Sequence, residues 1–274
     1  MQKLIALIEE NPGLTEPQKW NLCREVLQIL ILKSIYGTPE AKWLVFQGGT
    51  CLRICHGLKR YSEDLDFSLV KKTPSYSFAR MHSTVLRELS RQGFEVSGKA
   101  VQDKIVQKAM VGISGLPRQF GFSVPQSQKL SVKIEVDVRP PQKGRWESFF
   151  VARFGEMFPI LKYDLPTLFS GKALAALSRP YERGRDYYDL IWFLGRKIQG
   201  NMGYFKAGLR QAKKATPSPR HWRDVLDALS RKTSEVDPSA LTKDLRPFLE
   251  DTRDSAWIQD YPRVFAQLLG QQPK

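Results

Sequence analysis

The fold is decided by two stretches of sequence, WLVFQGGT at residues 43–50 and DLDFSL at residues 64–69. Residues 43–46 are apolar and are followed by two glycines, a pattern typical of a short buried strand that runs through a turn into a helix. Residues 65–69 have the composition of a second strand. The sequence therefore predicts a strand, glycine turn and helix, and then a strand that carries aspartates at its start.

The glycine turn is suited to binding phosphate. Backbone N–H groups at a helix N-terminus can surround a triphosphate where no Cβ atom blocks its approach, and the helix dipole favours anions there. Gly48 and Gly49 provide such a turn, and Thr50 adds a hydroxyl group. We therefore expect Gly48, Gly49 and Thr50 to bind a nucleotide.

The two aspartates of the second strand form a candidate metal site. Asp64 and Asp66 are two residues apart, so both carboxylates face one side of the strand while Leu65 and Phe67 face the core. Neighbouring carboxylates repel one another unless a cation joins them, and Mg²⁺ binds through a few carboxylates together with substrate phosphates. The alternative is an edge strand with two solvated aspartates. The upstream glycine turn favours Asp64 and Asp66 as catalytic ligands of Mg²⁺ or Mn²⁺.

A third acidic position lies in SVKIEVDV at residues 131–138. The alternation of this strand places Lys133, Glu135 and Asp137 on one face and the apolar residues on the other. Either Glu135 or Asp137 can complete a site for two metal ions, which activate an attacking hydroxyl and neutralise a leaving pyrophosphate. The pattern does not distinguish them, and either carboxylate can instead pair with Lys133 or a nearby arginine. Both stay candidate metal ligands.

The rest of the chain divides into two parts of different pattern. Strand and helix patterns alternate as far as about Ile160, and helical patterns follow to the end. We predict an α+β protein, with a mixed β-sheet flanked by helices in residues 1–161 and a helical domain in residues 162–274 that completes the nucleotide and acceptor site. Within the first part, the patterns predict helices at about residues 16–36 and 76–92, and further strands at about residues 94–101, 109–114 and 130–138.

Helical periodicity singles out one lysine in the second part. In a helix that ends at Ser178 and is capped by Asp164, Lys172 lies on the same stripe as Leu168 and Ala176. A charged lysine on a buried face needs an anion, and a nucleotide phosphate supplies one. The alternative is a lysine at the edge of the stripe whose amine reaches solvent.

An aspartate in the next predicted helix has a similar placement. Asp186 shares a helix face with Leu190 and Phe193, so we expect its carboxylate to point inward, toward Lys172, a metal or an attacking group. A role as the helix N-cap is the alternative.

Composition gives weaker indications of partner and location. The 274 residues carry 43 Lys plus Arg and 28 Asp plus Glu, a formal net charge of +15. This charge favours nucleic acid as a partner, although it is spread along the chain and many proteins are basic for solubility alone. The 3 cysteines are too few for a disulfide framework and indicate a reducing compartment. No stretch resembles a signal peptide or a membrane span, so we expect a cytoplasmic protein without membrane contact.

Several motifs occur together in this chain. They are FQGGTCLR at residues 46–53, HG at 56–57, RYSEDLDF at 60–67, GKALAA at 171–176 with Arg179, and RGRDYYDL at 183–190. In combination they resemble the AbiEii/AbiGii nucleotidyltransferase toxin family, part of the DNA polymerase β-like nucleotidyltransferase superfamily. The resemblance runs from about residue 40 to about residue 195. The gap between Gly49 and Asp64 is longer than in many polymerase β-like enzymes, yet it fits this family's Arg-x-Ser-x-Asp-x-Asp pattern.

The resemblance implies a function and a partner. It implies a nucleotidyltransferase domain in residues 1–161 and the toxin of a bacterial toxin–antitoxin or phage-defence pair, whose antitoxin is encoded separately. The activity is expected to be transfer of a nucleoside monophosphate from an NTP to an acceptor hydroxyl. The family makes the 3′ end of tRNA the expected acceptor, and modification there blocks translation.

This activity assigns a role to each candidate residue. The turn at Gly48–Thr50 is expected to hold the triphosphate, Asp64 and Asp66 to bind Mg²⁺, and Glu135 or Asp137 to help position and activate the acceptor hydroxyl. Lys172 is expected to steady the nucleotide phosphates. Asp186 is expected to orient Lys172 or to assist proton removal.

Two other functions are compatible with these residues. One is nucleotidylation of a small molecule such as an antibiotic, or of a protein side chain, although a small-molecule enzyme does not need so basic a surface. The other is a non-catalytic RNA-binding protein that keeps the fold. The joint presence of Asp64, Asp66 and Lys172 argues against a protein without catalysis.

Overall fold

A seven-stranded mixed β-sheet and a series of helices make up the part of the chain that the computed structural model describes, residues 2–123, 125, 127–212 and 219–273. The strands are β1 (Leu44–Gln47), β2 (Asp64–Leu69), β3 (Val96–Val101), β4 (Val106–Ile113), β5 (Leu130–Asp137), β6 (Trp146–Arg153) and β7 (Glu156–Tyr163). The helices are α1 (Gln2–Glu9), α2 (Glu16–Tyr36), α3 (Gly48–His56), α4 (Phe78–Arg91), α5 (Leu116–Gln119), α6 (Leu165–Ser178), α7 (Gly184–Gly195), α8 (Met202–Gln211), α9 (Trp222–Thr233), α10 (Pro238–Leu245), α11 (Ser255–Gln259) and α12 (Tyr261–Gly270), with short 3₁₀ helices at Pro39–Trp43, Arg246–Phe248 and Thr252–Asp254. The predicted α+β class is confirmed.

The strand order is β3-β4-β5-β2-β1-β7-β6, which brings the predicted motifs to the centre of the sheet. Strand β2 pairs antiparallel with β1 and parallel with β5. In the parallel pair, Asp64 lies beside Lys133 and Asp66 lies beside Glu135. Because residues paired in a ladder share a face of the sheet, all four side chains project from the same side.

The two faces of this sheet differ in polarity. On one face, side chains such as Ile134 and Val136 are fully buried, and helices α2 and α4 pack over this part of the sheet. On the other face, β5 presents half-buried polar residues and β4 presents the exposed Lys108 and Met110. The alternation that was predicted for residues 131–138 is therefore present, and its polar face is open to solvent.

Backbone contacts divide the chain into two compact units. The first unit contains residues 1–57, 61–140 and 148–162, and the second contains residues 58–60, 141–147 and 163–274. In the second unit, α6 packs against α7, α8 and α9, and α12 packs against α7 and α9. In the described part of the chain, no helix combines the length and the apolar character that are needed to cross a membrane.

Some elements were not assigned from the sequence. Strands β6 and β7 and the short N-terminal helix α1 are examples. The outward side of β6 carries exposed aromatic residues, among them Phe150 at 54% exposure, so the strand lacks the alternation of apolar and polar residues that identifies a half-buried strand.

Candidate active site

The glycine turn lies directly against the first acidic strand. Gln47, the last residue of β1, pairs with Asp66 of β2, and the chain then turns at Gly48 with φ of +80°. A Cβ atom at position 48 would lie 2.2 Å from Oδ2 of Asp66. Only glycine fits here, because a side chain would collide with the carboxylate and would also be strained by the left-handed backbone.

Helix α3 begins at this turn and is held in place by its own side chains. The hydroxyl of Thr50 is buried and donates a short hydrogen bond to the backbone carbonyl of Asp64. Arg53 donates two hydrogen bonds of 3.0 Å to the buried carboxylate of Glu25 on α2. Its guanidinium carbon lies 4.1 Å from the ring centre of Tyr61. The Thr50 hydroxyl thus holds the turn beside β2, and these contacts together place the helix N-terminus next to that strand.

The acidic residues of β2 and β5 are brought together, but not equally. Asp66 lies beside Glu135 in the strand register, whereas Asp137 lies beside Ser68, two residues farther along both strands. Asp137 also accepts a hydrogen bond of 2.8 Å from the backbone N–H of Arg139. The position of Glu135 makes it the better candidate for the third carboxylate.

A lysine lies among these carboxylates. The amine of Lys133 is 3.3 Å from Oδ2 of Asp64 and 3.2 Å from Oε1 of Glu135. The amine of Lys108 on β4 is 3.0 Å from the same oxygen of Glu135. Both lysines face the open side of the sheet, so two ammonium groups partly neutralise the acidic cluster.

The charges in this cluster shift the pKa values of its members. Burial acts to raise the pKa of Glu135, but hydrogen bonds from Lys108 and Lys133 outweigh it and lower this pKa below its usual value. Burial acts to lower the pKa of Lys133, while the charge of Asp64 and the contacts with Glu135 raise it overall. Burial raises the pKa of Asp137, opposed by the N–H of Arg139. Glu135 is therefore held as an anion beside a cation.

These residues fit a divalent cation chemically. Asp64, Asp66 and Glu135 supply carboxylate oxygens, which are the ligands that Mg²⁺ prefers. The ammonium of Lys133 bridges two of them and stands where a positive charge is needed. Within the described residues, no three acidic, histidine or cysteine side chains already converge as a metal cage. To bind a divalent cation, the carboxylates would have to give up their contacts with Lys133.

The second unit contains a separate buried ionic cluster around Lys172. The predicted helix cap is confirmed, because Asp164 accepts a hydrogen bond of 2.9 Å from the N–H of Thr167 at the start of α6. The amine of Lys172 lies 3.2 Å from Asp186 and 2.6 Å from Asp189, and its side chain is 15% exposed. Lys172 is therefore paired with two carboxylates.

Two arginines complete this cluster. Arg60 donates bidentate hydrogen bonds of 2.8 and 2.6 Å to Asp189, and both residues are almost fully buried. Arg179 donates a short hydrogen bond to Asp186. Burial acts to raise the pKa of Asp186, but the charges of Lys172 and Arg179 lower it overall. Three basic side chains thus surround two carboxylates.

The placement of Asp186 decides between the two interpretations of the sequence. Arg183 is the N-cap of α7, and Asp186 lies inside the first turn with only 4% exposure. Its carboxylate points inward to Lys172, as the helical periodicity predicted.

No role was assigned from the sequence to Arg60, Lys108 or Arg179. Asp189 was considered only as a possible structural partner of Lys172, and Lys133 only as one possible partner of the acidic residues. The spacing of Asp186 and Asp189, three residues apart in a helix, does place them on one face and was a usable signal. Arg60 gave no such signal, because its partner lies 129 residues away.

Comparison with known proteins agrees with the fold and the motifs. The sequence model of the family described as nucleotidyl transferase AbiEii toxin, type IV toxin–antitoxin system, matches residues 31–274. The chain belongs to the AbiEii nucleotidyltransferase toxin family. This membership confirms the resemblance, and it makes the chain a nucleotidyltransferase of a toxin–antitoxin family. No curated protein sequence matches the chain.

Two solved structures resemble this AbiEii family member in fold. JHP933 from Helicobacter pylori is 18% identical, with a TM-score of 0.53 over 92% of this chain and 94% of that protein. A second Helicobacter pylori protein, described as a proposed nucleotidyltransferase, is 19% identical, with a TM-score of 0.54 over 92% of this chain and 98% of its own. At these identities the likeness concerns the fold alone.

Proposed function

We propose that this AbiEii family member transfers a nucleoside monophosphate from an NTP to the 3′-terminal hydroxyl of an RNA, most simply tRNA, with Mg²⁺ or Mn²⁺. The toxic effect is loss of translation in the cytoplasm, and a separately encoded antitoxin is the protein partner. The observation that carries this proposal is the contact between the glycine turn and Asp66. This contact places the helix N-terminus that is proposed to bind phosphate next to the carboxylate pair of Asp64 and Asp66, within one unit.

The proposed roles in the first unit follow from geometry and charge. The N–H groups of Gly48 and Gly49 bind the triphosphate, because a helix N-terminus favours anions and these two residues carry no side chain. Asp64, Asp66 and Glu135 would hold the divalent cation on the open face of the sheet. When bound there, the cation would supply positive charge that neutralises the triphosphate and lowers the pKa of the acceptor hydroxyl.

The reaction then proceeds by displacement at the α-phosphorus. The acceptor oxygen forms a bond to this phosphorus, the bond to the bridging oxygen of the β-phosphate breaks, and pyrophosphate leaves. The hydroxyl proton passes to a carboxylate, for which Glu135 is placed beside Asp66. Rate enhancement of this kind depends on positioning and charge neutralisation more than on covalent catalysis.

The proposed role of the second unit is to bind anionic phosphate. The cluster of Arg60, Lys172 and Arg179 with Asp186 and Asp189 has one more basic than acidic side chain. Because the two carboxylates fix the amine of Lys172, Asp186 acts as its positioning residue. A fixed ammonium steadies a phosphate at a lower entropic cost than a mobile lysine does.

The test is a labelling experiment in which the NTP is labelled at either its α- or its γ-phosphorus. The protein is incubated with total RNA, Mg²⁺ and each NTP in turn, carrying the label at the α or the γ position. The proposal requires label in RNA from the α position only, and none after chelation of the metal. Transfer from the γ position would show a kinase instead, and label in protein or in a small molecule would show a different acceptor.

A further inference from the structure

Four lysines share the open face of the sheet beside the carboxylates of the first unit. In the register of β3, β4 and β5, Lys99 lies opposite Met110, which in turn lies opposite Lys133. Lys108 is two residues before Met110 and therefore shares its face. The side chain of Lys129 crosses this face as well, with its amine 2.8 Å from the hydroxyl of Ser97 on β3. A band of ammonium groups thus extends from the acidic cluster across three strands.

These lysines fall into two classes by their partners. Lys108 and Lys133 are bound to the carboxylates of Glu135 and Asp64 at 3.0 to 3.3 Å. Lys99 is exposed, and the amine of Lys129 contacts the hydroxyl of Ser97; among the residues that the structure describes, neither lysine has a carboxylate within ion-pair distance. The first class is neutralised by the residues proposed to hold a cation, and the second is not.

We infer that this face binds the phosphate backbone of single-stranded acceptor RNA, and that a divalent cation at the carboxylates strengthens this binding by releasing Lys108 and Lys133. The inference rests on the proposed function and specifies where its substrate lies. Charge complementarity favours a polyanion, and the band is continuous with the catalytic carboxylates, where the RNA end must arrive.

The coupling follows from competition for the same oxygens. Without a divalent cation, the carboxylates of Asp64 and Glu135 pair with the ammonium groups of Lys108 and Lys133. The same carboxylates also repel phosphate. A divalent cation on these carboxylates removes the repulsion and frees the lysines. By linkage, RNA on the face must strengthen cation binding by the same factor. Empty enzyme thus binds RNA weakly, and metal-loaded enzyme binds it tightly.

The experiment measures RNA binding without NTP, so that no transfer is possible. A fluorescent single-stranded RNA of mixed sequence is titrated with the protein in chelator or in Mg²⁺ at equal ionic strength. We expect binding in Mg²⁺ to be roughly tenfold tighter, from two released ion pairs. The slope of log affinity against log salt should also steepen by about 1.4, since each single-stranded phosphate contact contributes about 0.7. Simple competition of Mg²⁺ for RNA would have the opposite sign.

Variants separate the two classes of lysine. Lys108→Met with Lys133→Met should reduce the gain from Mg²⁺ and remove the steeper salt slope, because no lysine is left to release and only the relief of carboxylate repulsion remains. Lys99→Met is the matched control on the same face. It should weaken RNA binding by the same factor in Mg²⁺ and in chelator, so that the ratio of the two affinities stays at the wild-type value. Glu135→Gln should bind RNA more tightly than wild type in chelator, since it frees Lys108 without any metal.

The outcomes distinguish this inference from the proposed function. Equal or weaker RNA binding in Mg²⁺, or a Glu135→Gln variant no tighter than wild type in chelator, overturns the coupling even if labelled transfer proceeds normally. The expected coupling together with no transfer from any NTP overturns the proposed function and leaves the RNA-binding face. Absence of RNA binding in both conditions overturns the inference outright.

Discussion

Gly48 lies so close to Asp66 that a Cβ atom at position 48 would be 2.2 Å from Oδ2 of Asp66. This single contact joins the helix N-terminus that is proposed to bind the triphosphate with a carboxylate that is proposed to bind the metal. We predict that Gly48→Ala lowers nucleotidyl transfer by at least about a hundredfold, because displacement of Asp66 removes preorganised charge stabilisation. Initial transfer rates on the purified variant test this.

Gly57 provides the matched control for that substitution. It also has a positive φ, +70°, but a Cβ atom there would meet nothing within 4 Å. Gly57→Ala should therefore cost only about 1 kcal/mol of stability from backbone strain, and the folded protein should keep its transfer rate. Equal loss of transfer in both variants would mean that backbone strain, and not the contact with Asp66, causes the defect.

The strand register predicts different effects at the two acidic positions of β5. Glu135→Gln should reduce transfer by about a hundredfold or more, because one member of the carboxylate set is lost. Asp137→Asn should reduce it less than about tenfold, since Asp137 lies beside Ser68 and away from Asp66. The measurement is transfer rate at saturating Mg²⁺. A larger effect at Asp137 would reassign the third carboxylate.

Lys172 should contribute to both stability and activity. Lys172→Met removes a partner from the buried Asp186 and Asp189, which keep Arg179 and Arg60, so we expect a loss of about 1–3 kcal/mol in the free energy of unfolding. Transfer should fall more steeply than the folded fraction does. Denaturant unfolding and transfer rates, measured under the same conditions, test both parts.

Lys232 is the control for Lys172 in the same unit. Its amine donates hydrogen bonds of 2.6 and 3.2 Å to the carbonyls of Ala176 and Arg179 at the end of α6. Lys232→Met should lower stability and leave the transfer rate of the folded protein unchanged. If the two lysine variants lose transfer to the same extent at equal folded fraction, Lys172 is only a structural residue.

The local structure around the candidate site residues is predictable in both units because its signals are local. The apolar run before Gly48 marks β1, the glycines mark the start of α3, and Asp164 marks the start of α6 with its capping side chain. Each of these depends on residues within one or two turns of chain. Helix periodicity likewise exposed Lys172 as a charged residue among apolar ones.

The partners of these residues depend on tertiary structure instead. Lys133 meets Asp64 because β2 and β5 pair in parallel with one register, and a shift by one residue would turn Lys133 to the covered face. The pairing of Arg60 with Asp189 brings together residues 129 positions apart. Local patterns contain no information on such register or distance, so the pairs Lys133–Asp64 and Arg60–Asp189 were not predicted.

The lowered pKa of Asp186 predicts a pH dependence of stability. A carboxyl group with a pKa below its unfolded value of about 3.9 stabilises the fold above that pH, and this contribution is lost as pH falls through the folded pKa. Asp186→Asn should therefore be less stable than wild type from pH 7 to about 4, and the difference should shrink at lower pH. Urea unfolding between pH 7 and 3 tests this. A difference that is constant with pH would mean that the ionic contacts of Asp186 do not stabilise the fold.

We propose metal-dependent addition of a nucleoside monophosphate to an RNA 3′ end at the carboxylates beside Gly48. The most direct measurement compares transfer of α-labelled NTP to intact tRNA and to tRNA whose terminal diol has been destroyed by periodate. We predict label on intact tRNA only, in the presence of Mg²⁺, with loss in Asp66→Asn and retention in the exposed control Asp103→Asn. Equal labelling of periodate-treated tRNA, or labelling by Asp66→Asn at the wild-type rate, would contradict the account.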